Sequence, residues 1–210
     1  MMVKVGPRSI AAILIALALG ASPANAAPTT GRDSWQQPDR VVADLNLKAG
    51  ASVADIGCGS GYFTFRLAKA VGETGRVYAT EISEKALKPL ADRVAKDKVA
   101  NVVCVLSDPT DTKLKGDSLD AAFIANVLHH VPADARAALV KDIVRAIKPG
   151  GFFFLVDWRV DAKVKNDPNN RIPREDLIKL AKGAGLELDA EFLYLTNQVF
   201  LRFLKPAAKP

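Results

Sequence analysis

The chain has 210 residues, 49% of them apolar and 25% charged, with 29 Lys and Arg against 23 Asp and Glu for a net charge of +6. That apolar content excludes a disordered chain, and the scattered Gly and Pro exclude collagen-like or repeat character. Two cysteines are too few for a disulfide scaffold or a self-contained zinc site, and no run of five Lys or Arg marks a nucleic-acid patch.

Residues 1–26 carry Lys4 and Arg8, then an unbroken apolar run over 10–21, then Ser22-Pro23-Ala24-Asn25-Ala26. Charge, apolar run and small residues in that order read as a secretory signal peptide cut before Ala27; a buried helix and an uncleaved anchor are the other readings. The apolar run is too short to span a bilayer, which needs about 20 residues. The expectation is a periplasmic or secreted chain, or one anchored by its uncleaved signal, with no stable membrane span once the signal is removed. Residues 27–37 are expected to be a flexible segment, followed by a single domain over 38–205.

Within that domain, Pro38 suits the first turn of a helix whose apolar side is Val41, Val42, Leu45 and Leu47, ended by Lys48-Ala49-Gly50. Residues 52–56 read as a short buried strand running into the loop 57–61, and 62–71 as a helix stopped by Gly72. A second strand over 76–82 leads to Ser83, which caps a helix to about Lys96 with Glu84 and Lys88 as a surface pair. A third strand covers 101–106, then a polar loop to Ser118, a fourth strand 119–126, and a helix 134–147 closed by Lys148-Pro149-Gly150-Gly151. The most apolar strand is 151–158, as suits the middle of a covered parallel sheet. A polar loop, 159–171, leads to a helix over 174–184. Strands 186–195 and 198–204 then lie back to back, joined by Thr196-Asn197, a link that permits only antiparallel pairing. The alternation specifies an open α/β sheet ending in an antiparallel hairpin.

Asp55-Ile56-Gly57-Cys58-Gly59-Ser60-Gly61 is the most informative stretch. A glycine-rich turn after the first strand lets a ligand approach the backbone at the carboxyl edge of the sheet. The spacing G-x-G-x-G, with Asp55 two residues before the first Gly, departs from the dinucleotide G-x-G-x-x-G. A carboxylate there argues against a pyrophosphate, and with it against a nicotinamide-dependent oxidoreductase.

The stretch from Val53 to Phe63 resembles the first motif of class I S-adenosylmethionine-dependent methyltransferases, and later pieces agree in order: Glu81, Asp108, Asn126-Val127-Leu128-His129-His130, and Lys148-Pro149-Gly150-Gly151. Within that class the chain looks closest to small-molecule methyltransferases related to quinone-biosynthesis C-methyltransferases. The resemblance implies a doubly wound, mostly parallel, seven-stranded Rossmann-like sheet with a C-terminal antiparallel hairpin strand. Its strand order makes a Cys58–Cys104 disulfide improbable. It implies S-adenosyl-L-methionine held by Asp55, Gly57, Cys58, Gly59, Gly61, Glu81, Ile82, Asp108 and Asn126.

Each match also has a plain structural reading. Glu81 is an acceptor-only carboxylate suited to both ribose hydroxyls, or a surface residue near a helix start. Asp55 accepts from loop N–H groups or reaches the ligand's ammonium. Asp108 accepts from the adenine amino group, as its position in the family implies, or starts a turn before Pro109. Asn126 offers its carbonyl or nearby backbone to the methionine end. Cys104 reads as a buried apolar residue.

Methyl transfer needs alignment above all; a base is required only for an acceptor that loses a proton. His129 and His130 are the only histidines; His130 is the candidate base, or the pair simply closes a loop. They do not make a metal site, and none is expected. Asp157, Arg159 and Trp35 either line the acceptor pocket or are structural, Arg159 by pairing with Asp157 or Asp161. No Asn/Asp-Pro-Pro-Tyr/Phe signature follows the fourth strand, so nucleic acid is disfavoured and a small-molecule acceptor expected. Oligomeric state is unreadable. An exported donor-binding module without transfer is the alternative function.

Overall fold

The computed structural model describes residues 31–163 and 170–207. The expected export signal, 1–26, lies outside the described residues.

Seven strands form one sheet in the order β3-β2-β1-β4-β5-β7-β6: β1 Ser52–Ile56, β2 Arg76–Glu81, β3 Val102–Leu106, β4 Leu119–Ala125, β5 Ile147–Trp158, β6 Glu187–Glu191 and β7 Gln198–Leu204. The first five are parallel to one another and β7 is antiparallel to both β5 and β6. Helices α1 Arg32–Gln36, α2 Pro38–Asp44, α3 Thr64–Val71, α4 Glu84–Lys96, α5 Arg136–Ala146 and α6 Arg174–Gly183 connect and cover it.

Both faces are dry, which is why the central strands lack a polar alternation. Phe123 and Phe154 enter the layer under α2, α3 and α4, with Val41, Leu67, Val71 and Leu90. Their neighbours Ile124 and Phe153 enter the opposite layer with Leu139, Val140 and Ile143 of α5 and Leu177 of α6. Phe123, Phe153, Phe154, Phe200 and Phe203 are all fully buried.

Several expectations change. The segment 27–37, expected to be loose, is helical over Arg32–Gln36, and Gln36 is fully buried. It is held because that side chain bonds the sheet's carboxyl edge. Ser83 does cap α4, its Oγ accepting from the Ala86 N–H at 3.3 Å, but Lys88 pairs forward with Asp92 rather than back with Glu84. Lys148-Pro149-Gly150-Gly151 is a bulge within β5, not a turn before it: Ile147 pairs with Leu119 and the register then jumps to Phe152 opposite Ala121. The β6–β7 link is longer than two residues. Phe192 stacks on Phe200 at 4.3 Å and Tyr194 lies under Arg40 at 3.7 Å, drawing the chain from the sheet plane onto α2. Cys58 and Cys104 are both free.

The chain winds from β1 outward to β3, then crosses back to β4. This reversal between β1 and β4 opens a crevice at the carboxyl ends of the strands, where open α/β sheets bind ligands. No helix among the described residues is long and apolar enough to cross a membrane.

Candidate active site

Three loops meet at that crevice. After β1, Gly57 takes a φ of +68° while its N–H and that of Cys58 both donate to the Thr80 carbonyl, at 2.9 and 3.0 Å. A Cβ on Gly57 would stand 2.5 Å from Val127 Cγ2, so both backbone shape and space require glycine. A Cβ on Gly59 meets nothing within 4 Å, which leaves the outer side of the loop open to a ligand.

Glu81 ends β2 and ties the loops together. Its Oε2 accepts from the Gly59 N–H at 3.0 Å, and its Oε1 from the N–H groups of Ile82 and Ser83 at 2.9 and 3.1 Å. Asp55 lies beneath, 3% exposed, accepting from the Thr64 hydroxyl at 2.6 Å. Burial pushes its carboxyl up to about 6; the Thr64 bond and the Arg32 guanidinium oppose the rise, and Glu81 adds to it. Arg32 comes from α1 and lies 3.7 Å over the Tyr62 ring. Burial also raises the Cys58 thiol well above its ordinary range, so it is no nucleophile.

A cavity of about 390 Å³ opens beside this loop. Gly57, Glu81, Ile82, Asp108, Asn126 and His130 of the expected site all line it, whereas Asp55, Cys58, Gly59 and Gly61 do not; they shape the loop beside it. Among the described residues, neither Lys nor Arg lines the cavity. Asp108 is half engaged already: Lys113 Nζ bridges it at 2.5 Å and Asp111 at 2.7 Å. A larger cleft, about 760 Å³, lies at the opposite edge against the strand starts Ala51, Asp120 and Gly151, far from these loops.

Of the two contacts expected from Asn126, the side-chain carbonyl already has a partner. The residue follows β4 with a φ of +61°, and its carbonyl is not free. Gln198 donates to it, Gln36 Nε2 donates to Gln198 Oε1 at 2.6 Å, and Asn126 Nδ2 donates to Gln36 Oε1 at 2.9 Å. Three carboxamides thus close a ring that joins α1, the end of β4 and the start of β7. Any contact from this residue to a methionine end falls to its backbone or to the remaining carboxamide N–H. Nothing local in the sequence marks Gln36 or Gln198 for the ring, since their ring partners lie 90 or more and 72 or more residues away.

The two histidines separate. His130 is exposed and lines the cavity, whereas His129 is buried, its Nδ1 2.6 Å from Asp157 Oδ1. Asp157 Oδ1 also accepts from the Trp158 N–H at 2.8 Å, and Oδ2 from the His129 N–H at 3.3 Å. Arg159 therefore pairs with Asp161, at 2.9 Å, and leaves Asp157 to the imidazole. Burial, then the neighbouring His129, lowers the affinity of His130 for a proton, and Asp157 partly restores it. Trp35 packs on Trp158, centroids 4.9 Å apart, roofing the same end of β5. No cluster of three metal-ligating side chains occurs among the described residues.

Comparison with known proteins agrees with this geometry. Residues 53–151 match the family described as a methyltransferase domain. The demethylmenaquinone methyltransferase of Staphylococcus saprophyticus is 33% identical over 124 residues, covering 59% of this chain and 51% of that protein. The Staphylococcus aureus protein of the same name is 37% identical over 120 residues, covering 56% and 46%. The chain thus spans about half the length of the curated relatives it matches. Among solved structures, a SAM dependent methyltransferase from Aquifex aeolicus superposes with a TM-score of 0.74 at 23% identity, covering 80% of this chain and 89% of that one. Residues 53–151 of the chain thus resemble a methyltransferase domain, and the chain shares the fold of the Aquifex aeolicus protein.

Proposed function

We propose that the chain transfers the methyl group of S-adenosylmethionine to a small-molecule acceptor. The observation that carries this is the lining of the crevice cavity: two acceptor-only carboxylates, Glu81 and Asp108, the latter paired from outside by Lys113, and no Lys or Arg in the lining among the described residues. Such a lining disfavours phosphates and favours a ligand rich in hydroxyl and amino donors. An adenosine with a sulfonium tail is such a ligand, and the donor when bound supplies an electrophilic methyl. Glu81 would turn from its backbone donors to the ribose hydroxyls, Ile82 would cover the adenine, and the free oxygen of Asp108 would accept from its amino group. Asp55 would hold the loop and offset the ligand's positive charge from below. Beside the cavity mouth, His130 faces the acceptor as the candidate base.

The acceptor we favour is a reduced quinone or similar phenol; the Staphylococcus relatives are named for demethylmenaquinone. Export rests on the N-terminal residue order alone, and cell fractionation tests it.

Calorimetry with S-adenosylhomocysteine against NADH tests the donor assignment. Micromolar binding of the first and none of the second is expected, at a free energy of about 8 kcal/mol. Glu81→Ala should weaken it by about 1.5–3 kcal/mol, the worth of charged hydrogen bonds. Tighter binding of NADH would overturn the reading.

A further inference from the structure

We infer that Asp157 and His129 are a buried positioning pair for His130, so that this site is built to methylate an acceptor atom that carries a proton. The inference rests on the methyltransferase reading and narrows its substrate class.

Asp157 is 2% exposed and His129 3%, and no Lys or Arg bonds the carboxylate among the described residues. Two backbone N–H groups would be enough to hold the turn. The imidazole adds a short third bond, and because a carboxylate only accepts, it fixes the proton of neutral His129 on Nδ1. The ring so held lies against that of His130, centroids 3.9 Å apart and planes at 47°. Among the described residues His130 is otherwise held by its own turn, its N–H bonded to the Val127 carbonyl at 2.9 Å. The pair thus gives an exposed side chain a rigid surface to rest on, at the cavity wall.

The same stack supplies charge. Asp157 is the anion behind His130 on the protein side; Glu81 and Asp108 line the cavity in front, and Arg136 sits beyond, bonded to the Val131 carbonyl at 2.9 Å. In the step itself the acceptor atom forms a bond to the methyl carbon and the carbon–sulfur bond breaks. Its electron pair neutralises the sulfonium, and the acceptor's proton passes to a ring nitrogen of His130. The resulting imidazolium then loses its proton to water. Asp157 favours that cation through His129, whereas an acceptor without a proton, such as a thioether or tertiary amine, would need none of the three residues.

The test uses the full chain with isotope-labelled histidine, saturated with S-adenosylhomocysteine, and follows both imidazoles by NMR across pH. Neutral His129 is expected in the Nδ1-protonated tautomer. Asp157→Asn is expected to make His130 about three- to tenfold harder to protonate, by removing one negative charge. With a reduced naphthoquinone as probe acceptor, Asp157→Asn should lower kcat by about tenfold and leave KM unchanged, the base itself being worth roughly 10²–10⁴. A His130 titration unmoved by Asp157→Asn, in a chain that keeps its affinity for S-adenosylhomocysteine, overturns the inference. So does an Nε2-protonated His129 in the unaltered chain, which decides the matter even if the variant does not fold. Failure of the unaltered chain to bind S-adenosylhomocysteine would instead refute the donor reading.

Discussion

Replacing Asp55 by Asn should stabilise the protein at neutral pH while impairing donor binding. The carboxyl titrates near 6 in the folded chain against 3.8 for a free carboxyl. Its folded-state value is thus raised. Below about pH 4 the group is protonated in both states and costs nothing; as pH rises through 6 the folded state must ionise it in a buried place. At pH 7.5 the accumulated cost is about 3 kcal/mol. Asparagine keeps an oxygen for the Thr64 hydroxyl and carries no charge to bury. Urea denaturation of both proteins between pH 4 and pH 8 should show Asp55→Asn more stable by up to about 3 kcal/mol at the upper end, with the gap closing towards pH 4. Calorimetry should show weaker S-adenosylhomocysteine binding, the pattern of a site residue kept at the expense of stability. A variant less stable at pH 7.5, or a gap independent of pH, would refute the argument that burial governs this carboxyl.

Two other substitutions probe the frame of the site. Gly57→Ala must adopt a left-handed backbone and overlap Val127; Gly57→Ala with Val127→Ala relieves the overlap alone. Thermal melts should show the double variant recovering part, but not all, of a loss of about 2–4 kcal/mol; full recovery would mean the backbone angle costs nothing. Gln198→Leu leaves Asn126 Oδ1 and Gln36 Nε2 without partners in the carboxamide ring. Each orphaned group should cost about 1–3 kcal/mol in urea titrations, and a change below 1 kcal/mol in total would mean that water replaces the ring.

Much of the architecture was legible in the residue order. Apolar strands alternating with helical spacing, a glycine turn after the first strand and a carboxylate after the second are local patterns, each written within a few residues. They carried the parallel sheet and the Ser83 cap, while the family resemblance pointed to Glu81, Ile82, Asp108 and the His129-His130 pair, of which Glu81, Ile82, Asp108 and His130 line the cavity. The errors fell where a residue had a competing partner. Lys88 chose Asp92 over Glu84 on the same helix face, and Tyr194 and Phe192 pulled the last hairpin open by packing on α2 and β7.

What composition and spacing supplied by themselves were expectations about chemistry: too few cysteines for a zinc scaffold, a glycine spacing unlike that of a pyrophosphate loop, and no run of five basic residues. Those expectations depend on which groups are present, and a residue's charge and donors travel with it into any fold. Pairing does not. Asp157 was an expected partner of Arg159 and took a histidine 28 residues away instead; Asn126 engages its carbonyl with Gln198 and its amide N–H with Gln36, from opposite ends of the domain. Buried polar groups must find partners wherever the chain brings them, because an unpaired one costs more than most contacts return. The tertiary structure alone decided which of two adjacent histidines faces the cavity and which is locked behind it.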